Sequence, residues 1–232
     1  MKILAIDTST RFMCIGVSDG KAIYEYRLEA ERKLSKLLVP SIKRVLGAAD
    51  TDVSGIGYFA CGIGPGSFTG LRIGVSAIKG LSFALKKPVA GIPALDILAK
   101  GVRRDSDCIV PVIDAKRGLV YCALYSNKNN LLKRLSKYML LSVDDLLKNV
   151  KNYSIFLGDA LILYKEKINR NVKGALILEK DYWYPKAHNI IELAIDKIKA
   201  GRLNTSSDIK PIYLYPKECQ VKCATTGPHG QK

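Results

Sequence analysis

A chain of 232 residues that is 48% hydrophobic can bury a substantial core, and its length accommodates one domain or two of about 100 residues each. No apolar run reaches the roughly 20 residues of a membrane span, and Asp7 interrupts the opening apolar run too early for a signal peptide. A cytoplasmic protein without membrane association is expected, and its net charge of +16, concentrated in the C-terminal half, favours RNA or acidic partners without any Arg-rich run.

The first elements read as a meander of three strands: Ile3 to Ile6, Phe12 to Val17 and, after an Asp19-Gly20 turn, Ala22 to Leu28. Ser35 offers an N-cap to a helix with apolar positions Leu37, Leu38, Ile42, Val45 and Leu46, which Pro40 is expected to kink. A strand near Ile56 to Cys61 leads into Gly62-Ile63-Gly64-Pro65-Gly66-Ser67-Phe68-Thr69-Gly70-Leu71-Arg72-Ile73-Gly74, then a helix from about Gly70 to Lys86 stopped by Pro88. A strand at Val89 to Ile92 and a helix from Pro93 to about Lys100 complete the half.

The order then recurs. Cys108 to Asp114 mirrors the opening strand that ends in Asp7, Leu119 to Tyr125 mirrors the second strand, and Leu131 to Leu141 the third. A helix near Val143 to Val150, strands at Ser154 to Leu157 and near Ala175 to Leu178, and a helix from about Ala187 to Ala200 finish the second copy. Two α/β halves, each an antiparallel meander followed by parallel crossovers, imply two lobes facing one cleft. The expected lobes are 1–103 and 104–215, with 216–232 a flexible tail.

Glycines in such a loop admit close backbone approach, so either phosphate or another polypeptide segment could be the visitor. Leu71-Arg72 follows Gly70 where a P-loop needs Lys-Ser or Lys-Thr, and no acidic residue lies between Asp52 and Asp96 to hold a dinucleotide ribose. Ser67 lacks the frame of a nucleophile elbow and reads as a cap or turn hydroxyl. His188, at a helix start, reads as a capping or surface residue. Asp7-Thr8-Ser9-Thr10 has two open readings: oxygens and amides for phosphate or hydrated magnesium, or groups that simply satisfy the turn. On the helix after the loop, Gly70, Gly74, Ala77 and Ala84, with Gly80 nearby, form a small-residue stripe opposite Leu71, Val75, Ile78, Leu81 and Leu85. Such a stripe suits either a partner helix or ordinary packing on a sheet.

The six cysteines, Cys14, Cys61, Cys108, Cys122, Cys219 and Cys223, contain no C-x-x-C pair and read as free thiols. Cys219, Cys223 and His229 do not have a standard zinc spacing, so no metal site is expected.

Ile3-Leu4-Ala5-Ile6-Asp7-Thr8-Ser9-Thr10, Leu37-Leu38-Val39-Pro40 and the glycine-rich run together resemble the TsaB (YeaZ) family over about residues 1 to 100, and Pro211 to Leu214 is similar to its closing strand. The resemblance implies duplicated ribonuclease-H-like lobes of the actin, sugar-kinase and chaperone ATPase superfamily. It implies a non-catalytic subunit for tRNA threonylcarbamoyladenosine formation, paired with a catalytic TsaD homologue and joined by the ATPase TsaE. ATP and magnesium would act in that complex rather than as intrinsic cofactors, tRNA would be met through the complex, and the isolated chain would pair with itself. The partner interface carried over is Leu38, Ile42, Gly66, Ser67, Phe68, Thr69, Gly70, Arg72, Ile73, Gly74, Ala77, Ile78 and Leu81, and Asp7 to Thr10 would mark a degenerate nucleotide corner. The catalytic relative holds metal with a histidine pair, and here no histidine precedes His188. Leu34 and Tyr215 stand where the family commonly carries His and Arg. A kinase or hydrolase of the same superfamily, or a glycoprotease, are the alternatives.

Overall fold

The computed structural model describes residues 1–30 and 33–215. The first sheet has the order β3-β2-β1-β4-β5, built from β1 (Ile3–Asp7), β2 (Phe12–Ser18), β3 (Ile23–Glu29), β4 (Tyr58–Gly62) and β5 (Val89–Ile92). The meander β1 to β3 is antiparallel, while β4 and β5 join in parallel through helical crossovers. Every residue of β1 is buried because it lies centrally and is covered on both faces, which is why its sequence is apolar without alternation. On one face α1 (Leu34–Ala48) and α2 (Phe68–Leu85) enclose a core that includes Leu4, Ile6, Ile15, Leu38, Ile42, Phe59 and Ile78.

The opposite face carries a correction to the expected lobes. The last helix, α6 (Ala187–Lys199), does not finish the second copy: Ala187, Ile190, Ile191 and Ala194 pack on Ile3, Ala5, Cys14 and Ala60 of the first sheet. Glu25 on the edge strand β3 accepts the Ala187 N–H (2.7 Å), so a carboxylate 162 residues away starts that helix. Ile209 also enters the first core, so the segment after α6 returns to the first lobe at that residue.

The second sheet has seven strands, β10-β7-β6-β11-β12 with β8 and β9 attached beside β6. They are β6 (Ser106–Lys116), β7 (Leu119–Cys122), β8 (Tyr125–Lys128), β9 (Leu131–Arg134), β10 (Met139–Ser142), β11 (Ile155–Leu157) and β12 (Leu176–Ile177). The two long strands expected over 119–125 and 131–141 are each divided, because the β8–β9 hairpin pairs with the start of β6 while β10 pairs with β7. One face is covered by α4 (Val143–Leu147) and α5 (Leu161–Asn171). The other is covered by α3 (Ala94–Lys100), which turns Leu95 and Leu98 to the second sheet and Ile97 to the first.

Smaller differences have local causes. Ser35 lies inside α1 rather than capping it; Lys33 occupies the cap without a side-chain bond, and buried Leu34 anchors the first turn. The helix continues through Pro40, which faces solvent. Residues 211–214 form no strand, but the Ile212 N–H donates to the Ile63 carbonyl (2.7 Å), tying the segment to the glycine-rich loop. The tail expected over 216–232, with Cys219, Cys223 and His229, lies outside the described residues; Cys14, Cys61, Cys108 and Cys122 are buried free thiols.

Candidate functional site

The glycine-rich loop receives a segment of its own chain. A β-carbon on Gly62 would overlap the Asp7 carboxylate, on Gly66 the Ser9 carbonyl, on Gly70 the Thr8 carbonyl and on Gly74 the Thr8 hydroxyl. Four glycines are needed because the β1–β2 turn lies directly against the loop and the first turns of α2. Hydrogen bonds hold the two together: Ser67 N–H donates to the Ser9 carbonyl (2.7 Å) and Thr8 Oγ1 to the Gly70 carbonyl (2.8 Å). Ser67 also caps α2, its hydroxyl accepting the Gly70 N–H (3.2 Å), the role its position predicts.

Asp7 is fully buried in this unit. One carboxylate oxygen accepts the Ser9 N–H (2.9 Å) and hydroxyl (2.8 Å); the other faces Gly62 with no partner. Burial pushes its pKa up to about 6, opposed by the two Ser9 bonds. Thr10 Oγ1 donates to the Phe12 carbonyl (3.1 Å), so all three hydroxyls of the motif have partners within the chain.

Ser9 and Thr10 nevertheless form one wall of a cleft of about 990 Å³ between the lobes, continued by Arg11, Leu34 and Gly66 to Gly70. The facing wall comes from the second lobe: Ile113 to Lys116 at the end of β6, Tyr121, Asp159, Ile162, Leu163 and Tyr184. Asp159 accepts the Asp114 N–H (2.9 Å), and burial pushes its carboxyl up to about 6. Asp114 pairs with Lys116 (2.5 Å). Sequence reading placed Asp114 as the counterpart of Asp7 but not as a cleft residue, and it missed Asp159, which sits at the turn into α5. That helix escaped notice although Leu161 and Ile168 follow its spacing, because its lysines and asparagines dilute the apolar pattern.

The helices expected to carry the interface have two distinct faces. Leu38, Ile42, Gly70, Gly74 and Ile78 are buried inside the lobe. Ile73, Ala77 and Leu81 are half-buried on the flank, Phe68 stacks on Tyr213 (ring centroids 5.2 Å), and the Arg72 guanidinium lies over Phe68 (3.8 Å). The small-residue stripe therefore splits: Gly70 and Gly74 turn inward against Thr8, whereas Gly80 has nothing within 4 Å of its β-carbon position and Ala84 is exposed. The outward face also holds Ser76 and Phe83, the latter 78% exposed, and α1 contributes Val39.

A family model described as TsaD: tRNA N6-adenosine threonylcarbamoyltransferase matches residues 28–211. The tRNA threonylcarbamoyladenosine biosynthesis protein TsaB of Bacillus subtilis is 34% identical over 172 residues, 72% of this chain and 75% of that one. TsaB of Buchnera aphidicola from Schizaphis graminum is 34% identical over 207 residues, 87% and 96% of the two chains. This chain belongs to the TsaB (YeaZ) family. YeaZ from Pseudomonas aeruginosa has the same fold, with a TM-score of 0.78 at 25% identity over 91% of this chain and all of that one.

In this TsaB-family chain Leu34 and Tyr215 both line the cleft. Leu34 is buried as the first residue of α1. Tyr215 donates its hydroxyl to the Ala115 carbonyl (3.0 Å) and meets Tyr121 edge-on, linking the segment after Ile209 to the second lobe.

Proposed function

We propose that this chain is the non-catalytic platform subunit of a cytoplasmic tRNA threonylcarbamoyladenosine-forming complex, pairing with a catalytic TsaD homologue and joined by a TsaE-type ATPase. The observation that carries the reading is the build of α2. Arg72 and Lys79 are its only charged residues, and it is long and apolar enough to cross a membrane by length and composition, yet only Gly70, Leu71, Gly74, Val75, Ile78 and Ser82 are buried. The buried side packs on the first sheet, which accounts for its inward apolar residues; the outward Ser76, Gly80, Phe83 and Ala84 suit close approach by a second helix, with Phe83 as an aromatic anchor.

Within the complex, α1 and α2 would position the catalytic subunit, which would supply the metal and histidine pair for threonylcarbamoyl transfer. His188, the sole histidine among the described residues, pairs with Glu25 (2.8 Å) at the start of α6, on the face of the sheet away from α1 and α2. ATP and magnesium act in the assembled complex on this reading, and the chain alone pairs with a second copy through the same helices.

Reconstitution tests it. TsaD and TsaE homologues from the same organism, with ATP, magnesium, threonylcarbamoyl-adenylate and unmodified tRNA, should form the modified adenosine only when this chain is added. Modification without the chain, or ATP turnover by the chain alone at an enzymatic rate, would overturn the proposal in favour of an independent nucleotide enzyme.

A further inference from the structure

At the end of the second lobe opposite Asp159, two loops lie side by side. Lys148-Asn149-Val150-Lys151-Asn152-Tyr153 leads from α4 into β11, and Arg170-Asn171-Val172-Lys173-Gly174 leads from α5 towards β12. The Tyr153 N–H donates to the Lys173 carbonyl (2.8 Å), which fixes one loop on the other, and the Ser154 hydroxyl donates to the Lys151 carbonyl (2.6 Å) within the first. Tyr153 has left-handed backbone (φ +59°), and its ring lies across Gly174, where a β-carbon would overlap it. The ring is thus backed by glycine on one side and is 67% exposed.

The surroundings are basic. Neither loop contains an acidic residue, and Lys151, Arg170 and Lys173 are exposed with no ion pair among the described residues. Lys148 pairs with Asp145 (2.7 Å), and Asp107, the acid that feels Lys151, is already paired with Lys128 (2.8 Å). A large aromatic ring held outward at a left-handed position, on two segments that carry exposed unpaired cations, serves no core and no internal salt bridge.

We infer that Tyr153, flanked by Lys151, Arg170 and Lys173, is a stacking platform for an unpaired RNA base, with the cations on the adjoining phosphates. A π-face accepts any base and lysines read only backbone charge, so the contact is sequence-tolerant and strongly salt-dependent. The patch is on the lobe that does not carry α1 and α2, so RNA and a protein partner can be held together. The choice of RNA over an acidic protein rests on the function proposed above.

The test is fluorescence anisotropy with a labelled unmodified tRNA across a salt series, on the full chain alone and on its complex with the TsaD homologue. Tyr153→Ala should weaken binding by roughly tenfold while Tyr153→Phe retains it. Lys151→Ala with Lys173→Ala should lower the log–log salt slope by about 1.5, whereas Lys21→Ala with Lys199→Ala should leave it unchanged. Far-ultraviolet circular dichroism verifies that each variant is folded. Complex formation with tRNA binding indifferent to these substitutions would overturn the patch and leave the platform proposal standing. Loss of binding in the variants with no complex formed would do the reverse. A patch that binds an acidic protein and not tRNA would also overturn the inference.

Discussion

Gly74 and Thr8 are fitted to each other. The Gly74→Ala β-carbon meets Thr8 Oγ1 head-on, and overpacking of this kind costs about 1–3 kcal/mol. Thr8→Ala removes the obstruction along with the bond to Gly70, worth about 1 kcal/mol. The double variant should therefore be less destabilised than the sum of the singles by at least about 0.5 kcal/mol in urea unfolding; strict additivity would show that the two do not touch. Asp7 gives a pH signature. Its folded pKa of about 6 exceeds the ordinary carboxylate value of 3.8, so the folded state binds the proton more tightly and stability falls as pH rises from about 4 to 6. A shift of this size corresponds to about 3 kcal/mol, and Asp159 adds to the same window. Asp7→Asn should reduce the slope of the stability profile between those pH values, leaving the part due to Asp159, and an unchanged slope would remove Asp7 as a source. The presence of both motifs was legible from residue type alone, but their contact was not: nothing in the chain between residues 10 and 62 announces that the Asp7 turn is what the glycines accommodate.

Among the elements, α2 shows where periodicity stops informing. The apolar spacing located the helix, and the structure starts it at Phe68 with Ser67, read as a turn or cap hydroxyl, as its cap; yet glycines appear on both faces for opposite reasons, inward at Gly70 and Gly74 to admit the turn and outward at Gly80 in open space. Gly80→Ala should accordingly stabilise the isolated chain by up to about 1 kcal/mol, raising Tm by roughly 2–4 °C in a thermal scan. A fall in Tm would mean that Gly80 is packed within the chain. The first meander was readable because Asp19-Gly20 marks its turn and its apolar runs have strand length. In the second half the strands are short and paired piecemeal around a central β6, so their boundaries depend on pairing that local pattern does not encode.

At the scale of the molecule, two copies of one element order do not make two independent units. The sheet of the first lobe is closed on one face by α6, supplied from the far end of the chain, so fragment 1–103 lacks half its cover. That fragment should show no cooperative thermal transition by circular dichroism, and one in which 187–215 is joined to it should regain one; independent folding of 1–103 would contradict the packing. The lobe repeat was visible in the sequence as element order, whereas the return of α6 was not, since its apolar face would cover either sheet. The same closure leaves α1 and α2 as the outer layer of the first lobe, with Val39 and Phe83 exposed. The most direct test of the account is the mass, by light scattering, of the mixture of this chain with its TsaD homologue, for wild type and Phe83→Glu. A defined heterocomplex is expected for wild type and at least about 30-fold weaker pairing for Phe83→Glu, with the Tm of the isolated variant unchanged. Absence of a wild-type complex, or a complex indifferent to Phe83→Glu, would contradict it.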